Sequence, residues 1–203
     1  EEDHGLEYRN KKRMRRLLEM SDYVVFISKA IEKKYKSQYS LKNAIQFFDG
    51  FIVGDYYVKN HNILMRSTIK LIQAGGFSDG KGTLKSIEMI SLLKKAGIHN
   101  VQLEFIGNGK DKYKFKMTEM INRFELQNNV RILPYTTNIK EHLAGADILL
   151  MNSQAEGFGR VTVEGMMAGC LILGRNVAGT SELIVHEFNG FLFNDTQEFV
   201  NNM

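Results

Sequence analysis

From about residue 68 onward, short unbroken apolar runs alternate with amphipathic stretches, and this alternation narrows the fold more than any other feature of the chain. The runs are "IKLIQAG", "VQLEFIG", "VRIL", "ADILLMN", "CLILG" and a short last one from Gly190 to Phe193. A strand covered on one face alternates apolar with polar residues, whereas a run such as "ILLM" is apolar throughout. It reads as a strand covered on both faces, the condition of a parallel sheet flanked by helices. Between the runs, a helix is expected from about Lys81 to Ala96. A second is expected where Tyr113, Met117, Met120, Ile121 and Phe124 share one helical face. Pro134, the single proline, has no amide hydrogen for a ladder and ends the third run. Strands alternating with helices need right-handed crossovers, so the expected fold is α/β, a Rossmann-like doubly wound parallel sheet.

The first 60 residues follow another pattern: a helix carrying "KKRMRR", a strand in "DYVVFIS", a helix in "KAIEKKYKSQYS", and a short strand and turn in "AIQFFDGF". The expected division is residues 1–60 as the end of one domain with its linker, and 61–203 as the sheet domain, cut short at its C-terminus. The chain opens without an initiator Met and closes on "DTQEFVNNM", where a helix has just begun. It is therefore expected to be a piece of a longer protein.

Composition removes several classes of function. With 27 Lys and Arg against 23 Asp and Glu, the net charge of +4 is small and interspersed, which gives no footprint for nucleic acid. Residues 1–20 hold six Lys/Arg and five Asp/Glu, the balance of a solvated helix more than of a membrane patch. Cys170 is the sole cysteine, so no intrachain disulfide can form and the reducing cytoplasm is the expected compartment. His4, His61, His99, His142 and His186 are scattered without metal-ligand spacing, and no metal is expected. There is no GxSxG elbow.

In an open parallel sheet a ligand lies beyond the carboxyl ends of the strands, so the strand-to-helix turns hold the candidate residues. "AGGFSDGKG" brings glycines and Lys81 to the expected start of a helix, a place where amides and a cation suit a phosphate; tight turn geometry alone is the other reading. In "IGNGK" Asn108 either meets a ligand or stabilises its own turn. "ILLMNSQAEGFGRVTVEGMMAG" places Glu156 in a turn and Glu164 about one turn into a helix. Each carboxylate can accept hydrogen bonds from ligand hydroxyls. Equally, Glu156 can favour the helix start electrostatically and Glu164 can be a solvated helix residue.

"EGFGRVTVEGMMAG", followed by "CLILG" and "GTSELIVHEFNGFLF", closely resembles the E-x7-E region of retaining glycosyltransferases of family 4, which have the GT-B fold. The likeness extends over about residues 65 to 195 through "QAGGFSDGKG", "LEFIGNG", "VRILPY" and "ADILLMNS". It implies two facing Rossmann-like domains, the C-terminal one binding a nucleotide-diphosphate sugar and the N-terminal one an acceptor. By the same resemblance Glu164 holds the ribose hydroxyls, Glu156 and the amides of Gly157, Phe158 and Gly159 hold the transferred sugar, and Lys81 binds the diphosphate. Gly76, Phe77 and Asn108 line the donor site, and the base sits near Leu133 to Tyr135. The implied reaction transfers a hexose from a UDP- or GDP-sugar to a glycan or lipid-linked acceptor with retention and without bound metal or other cofactor. Polysaccharide biosynthesis is the implied setting, with peripheral association of the full-length protein at the inner face of the membrane left open.

This chain departs from the family where Gly76 and Phe77 replace an Arg usual in the first turn, and where Asp49-Gly50 replaces the more frequent Asn-Gly. Two alternatives follow: a sugar-nucleotide epimerase of the same fold, or a catalytically degenerate binding or scaffold subunit. With half the cleft missing, the chain by itself is expected to be inactive in transfer.

Overall fold

A computed structural model describes residues 2–52, 54 and 67–203, with side chains from residue 11 onward. The chain forms two compact units, Glu1–Gly50 and Phe51–Met203. The domain boundary expected at residue 60 lies outside the described residues.

The first unit contains α1 (Glu2–Met20), β1 (Val24–Phe26), α2 (Lys29–Lys36) and β2 (Ala44–Gln46). Its two strands pair in parallel, Val24 opposite Ala44 and Phe26 opposite Gln46. Ser28 caps α2, its hydroxyl accepting the Ile31 N–H at 3.3 Å and so satisfying one of the orphan donors of the first turn. Val25 and Ile45 remain exposed on this small sheet.

The second unit runs β3 (Ile69–Ala74), α3 (Thr83–Lys95), β4 (Val101–Ile106), α4 (Asp111–Arg123), β5 (Val130–Leu133), α5 (Ile139–Gly145), β6 (Ile148–Met151), α6 (Arg160–Met167), β7 (Leu171–Arg175), α7 (Ala178–Leu183), β8 (Phe191–Phe193) and α8 (Thr196–Asn201). Its six strands form one sheet in the order β5-β4-β3-β6-β7-β8. Every pairing is parallel. All six apolar runs are therefore strands of a single doubly wound sheet.

The apolar runs serve both faces at once. Leu71, Leu103, Phe105, Ile148, Leu150 and Leu173 point into one core with Ile87, Ile90 and Leu93 of α3, Met117 and Ile121 of α4, and Phe199 of α8. Their strand neighbours Ile72, Ile106, Leu149, Met151 and Ile172 point into the other, with Leu143 of α5 and Ile184 just past α7. Covering one such side chain contributes roughly 1.5–3 kcal/mol, and in β6 all four residues are covered. The sheet is thus committed to helices on both sides.

Candidate functional site

Strand order fixes where a crevice can open. From β3 the chain winds outward to β4 and β5, then returns to β6 on the opposite edge of β3 and continues to β7 and β8. The turns leaving β3 and β6 consequently head for opposite faces of the sheet. They part at the carboxyl ends of two adjacent strands, the place where open α/β sheets take their ligands.

Several contacts bind these two turns together. The Gln154 N–H donates to the Gly80 carbonyl at 2.8 Å, while the Gln73 side-chain amide of β3 ties down its own turn at the Lys81 carbonyl, 2.7 Å away. The Asn152 amide reaches the Gly82 carbonyl at 3.3 Å and the Ser86 hydroxyl at 3.0 Å. Gly82 has φ +66°, and a Cβ there would lie 2.1 Å from the Asn152 carbonyl oxygen, so only glycine lets α3 start against the end of β6. This is why the helix expected from Lys81 begins at Thr83.

Lys81 and Glu156, 75 residues apart in sequence, meet across the gap. Lys81 Nζ lies 2.7 Å from Glu156 Oε2, with side chains 38% and 14% exposed. The hydroxyl of Ser153, itself buried, donates to the same oxygen at 3.0 Å. The Gly179 N–H, from α7, donates to the Glu156 carbonyl at 3.0 Å. The carboxylate is thereby held by a cation and a hydroxyl on one oxygen and by its backbone from behind.

The amides at the start of α3 are already engaged within the β3–α3 turn. Lys81 N–H and Thr83 N–H bond back to the Ser78 carbonyl at 3.2 and 3.3 Å, and Gly82 N–H to that of Asp79 at 2.9 Å. The turn's side chain suited to an anion is the lysine. Gly76 is exposed. Phe77 is a core residue, its ring set edge-on to Phe105 and its N–H bonded to the Asn108 carbonyl at 2.8 Å, so neither its ring nor its amide faces the crevice.

Asn108 directs its side chain inward to its own turn, Oδ1 accepting the Gly109 N–H at 2.9 Å. Gly107 lets this turn touch the first: at φ +156° its absent Cβ would stand 1.8 Å from the Gly75 carbonyl oxygen. From α4 the Tyr113 hydroxyl donates to Asp79 at 3.0 Å. Burial, and then this bond to the Asp79 carboxylate, pushes the phenol up from 10.0 to about 12. Past β5, Tyr135 is exposed, while the Leu133 carbonyl accepts the Gly107 N–H at 3.3 Å.

In the β6–α6 turn Gly157 is half-buried, and Phe158 is buried with its ring stacked on Phe51 at 6.2 Å. Gly159 opens α6 as its N-cap at φ +82°. The Arg160 guanidinium lies over the Phe51 ring at 4.8 Å. Glu164 sits about one turn into α6, half-buried, and its carboxylate forms no ion pair with any described residue. Among the described residues, no group of three His, Cys, Asp or Glu is placed to hold a metal ion, and no helix is long and apolar enough to cross a membrane.

Of the residues singled out in the sequence, Lys81 and Glu156 are in direct contact, and Gly157, Phe158, Gly159 and Glu164 follow on the same turn and helix. Asn152, Ser153 and Gly179 escaped sequence reasoning. The first two are the polar residues that end an otherwise apolar strand, which is the one local sign that they reach the crevice. Gly179 carries no such sign.

Comparison with known proteins agrees with this architecture. The family model described as Glycosyl transferases group 1 matches residues 60–203. The chain is 30% identical over 162 residues to Protein CapJ of Staphylococcus aureus, covering 78% of this chain and 40% of that protein. It is 26% identical over 112 residues to the capsular polysaccharide biosynthesis glycosyltransferase CapH of the same organism, covering 55% of this chain and 32% of the relative. Among solved structures, Anabaena Alr3699/HepE in complex with UDP and glucose superposes with a TM-score of 0.84 at 22% identity, over 95% of this chain and 56% of that one. TarM superposes with 0.81 at 20% identity, over 95% and 38%. The chain thus spans about a third to about half the length of these relatives, and its sheet has the fold of GT-B glycosyltransferases. With the family model covering residues 60–203, which hold all six strands of the sheet, this chain belongs to the Glycosyl transferases group 1 family.

Proposed function

We propose that this chain carries the nucleotide-sugar site of a retaining glycosyltransferase of family 4, with Glu156 and Glu164 as its E-x7-E pair. The observation that carries the reading is the meeting of Lys81 and Glu156 at the reversal of strand order, with Glu164, which has no ion-pair partner among the described residues, on the helix that follows. A nucleotide-diphosphate sugar presents a diphosphate, a sugar with several hydroxyls and a ribose diol. A lysine suits the first, and carboxylates, which only accept, suit the other two. In this reading Lys81 neutralises the diphosphate, Glu156 orients the sugar and Glu164 takes the ribose. Gly157 and Gly159 bring backbone close to the sugar, and the peptide groups around Tyr135 meet the base.

The departing phosphate takes the acceptor proton on the face from which it leaves, so configuration is retained and no metal takes part. The donor is a UDP- or GDP-sugar, as suggested by the UDP and UDP-glucose in the HepE complexes. The acceptor is a glycan or lipid-linked chain in cytoplasmic polysaccharide assembly, a setting favoured by the name of CapH. Residues 1–60 are read as the edge of the acceptor domain, a view supported by the two-stranded parallel sheet whose Val25 and Ile45 stay exposed.

A thermal-shift titration with UDP, GDP, ADP and their sugar conjugates tests the reading, repeated on Glu164→Ala. A nucleotide at a hundred times its dissociation constant stabilises the fold by about 2.7 kcal/mol. Selective stabilisation by one nucleotide, lost in the variant, is the expected result. No shift with any nucleotide, in the complete protein as well, overturns it.

A further inference from the structure

The ion pair at the centre of the crevice has a cost for any ligand that claims only half of it. Resting on the donor-site reading above, we propose that Glu156 discriminates the intact nucleotide sugar from the free nucleoside diphosphate by holding Lys81 whenever no sugar is present.

The argument starts from one oxygen. Glu156 Oε2 takes both the Lys81 ammonium at 2.7 Å and the Ser153 hydroxyl at 3.0 Å, and the side chain is only 14% exposed. A carboxylate so little exposed is poorly compensated by water when its cation leaves. A free nucleoside diphosphate recruits Lys81 and returns nothing to Glu156, which keeps only the Ser153 hydroxyl. It also brings further negative charge toward an uncompensated carboxylate. The sugar conjugate recruits the same lysine but presents hydroxyl donors to the carboxylate, replacing the bond it breaks. The two ligands differ in that replacement. Transfer of the sugar therefore removes the group that kept Glu156 and Lys81 apart, and re-forming the pair favours loss of the diphosphate product.

The geometry also says why the carboxylate does not simply swing aside. Ser153 is buried at the end of β6, and the Gly179 amide holds the Glu156 carbonyl from α7, so both ends of the residue are fixed. Lys81 is the more exposed partner. It is the lysine that changes partners, and Glu156 that stays.

Calorimetric titration of the complete protein with free UDP or GDP, whichever binds, and with the matching sugar conjugate tests this, using wild type, Glu156→Gln, Lys81→Met and the double variant. Glu156→Gln is expected to bind the free diphosphate about fivefold tighter and the sugar conjugate about tenfold weaker, moving the two affinities in opposite directions. In the Lys81→Met background the tightening for the diphosphate disappears. If Glu156→Gln weakens both ligands, or leaves the diphosphate unchanged in a protein that wild-type titration shows to bind it, Glu156 does not mask Lys81 and the proposal fails while the donor site stands. If wild type binds neither ligand, the donor-site reading fails and this proposal with it.

Discussion

At the scale of single residues, glycines in one turn separate into those that are replaceable and those that are not. Gly82→Ala forces a left-handed residue and a Cβ 2.1 Å from the Asn152 carbonyl, and is expected to cost at least about 2 kcal/mol. Gly80→Ala, with nothing nearer than 3.8 Å, is the control expected to melt within a degree or two of wild type. A melting curve for each checks the pair. Gly76 is replaceable too: its Cβ position is 3.8 Å from the nearest atom, the Asn108 carbonyl oxygen, and its φ lies outside the left-handed range. On the donor-site reading, Gly76→Arg adds a cation to the turn that bears Lys81 and is expected to raise the transfer rate of the complete protein by about tenfold without lowering stability. An unchanged rate would show that the leaving diphosphate needs no second cation here. Lys81, Glu156 and Glu164 were singled out as charged residues in or just after glycine-bearing turns, and only the family resemblance gave them roles; of the three, the structure brings Lys81 and Glu156 together. Ser153 and Gly179 were not legible, since a small residue that positions another is indistinguishable in sequence from one that merely packs.

At the scale of elements, strands were easier to read than helix starts. Each apolar run became a strand because covering both faces leaves β6 and its neighbours no polar alternative. The start of α3 moved from Lys81 to Thr83 because the deciding contact, the end of β6 against Gly82, joins segments far apart in the chain. The same limit hid the bond from Tyr113 of α4 to Asp79, which steadies the turn bearing Lys81. Tyr113→Phe is expected to cost about 0.5–1.5 kcal/mol at neutral pH. Because the folded phenol titrates near 12 and the unfolded one near 10.0, the folded protein holds that proton more firmly. Its contribution is complete below pH 10 and is lost as pH rises toward 12. The stability gap between wild type and Tyr113→Phe should therefore narrow over that window. Paired denaturant titrations measure it, and a gap independent of pH would contradict the assigned shift.

At the scale of the whole molecule, β3 pairs with β4 across the single helix α3, but with β6 only after the chain has also passed through β4, α4, β5 and α5. Contacts between segments so far apart carry a larger loop-closure cost and tend to form late. Lys81 and Glu156 belong to the two sides of that late seam. A ligand bridging them would find nothing to grip on a chain still folding, so it should leave the refolding rate nearly unchanged and slow unfolding. Stopped-flow refolding and unfolding with and without nucleotide separate the two limbs. The crevice then acts as a kinetic fastener, because a ligand bridging it holds shut a seam that forms late.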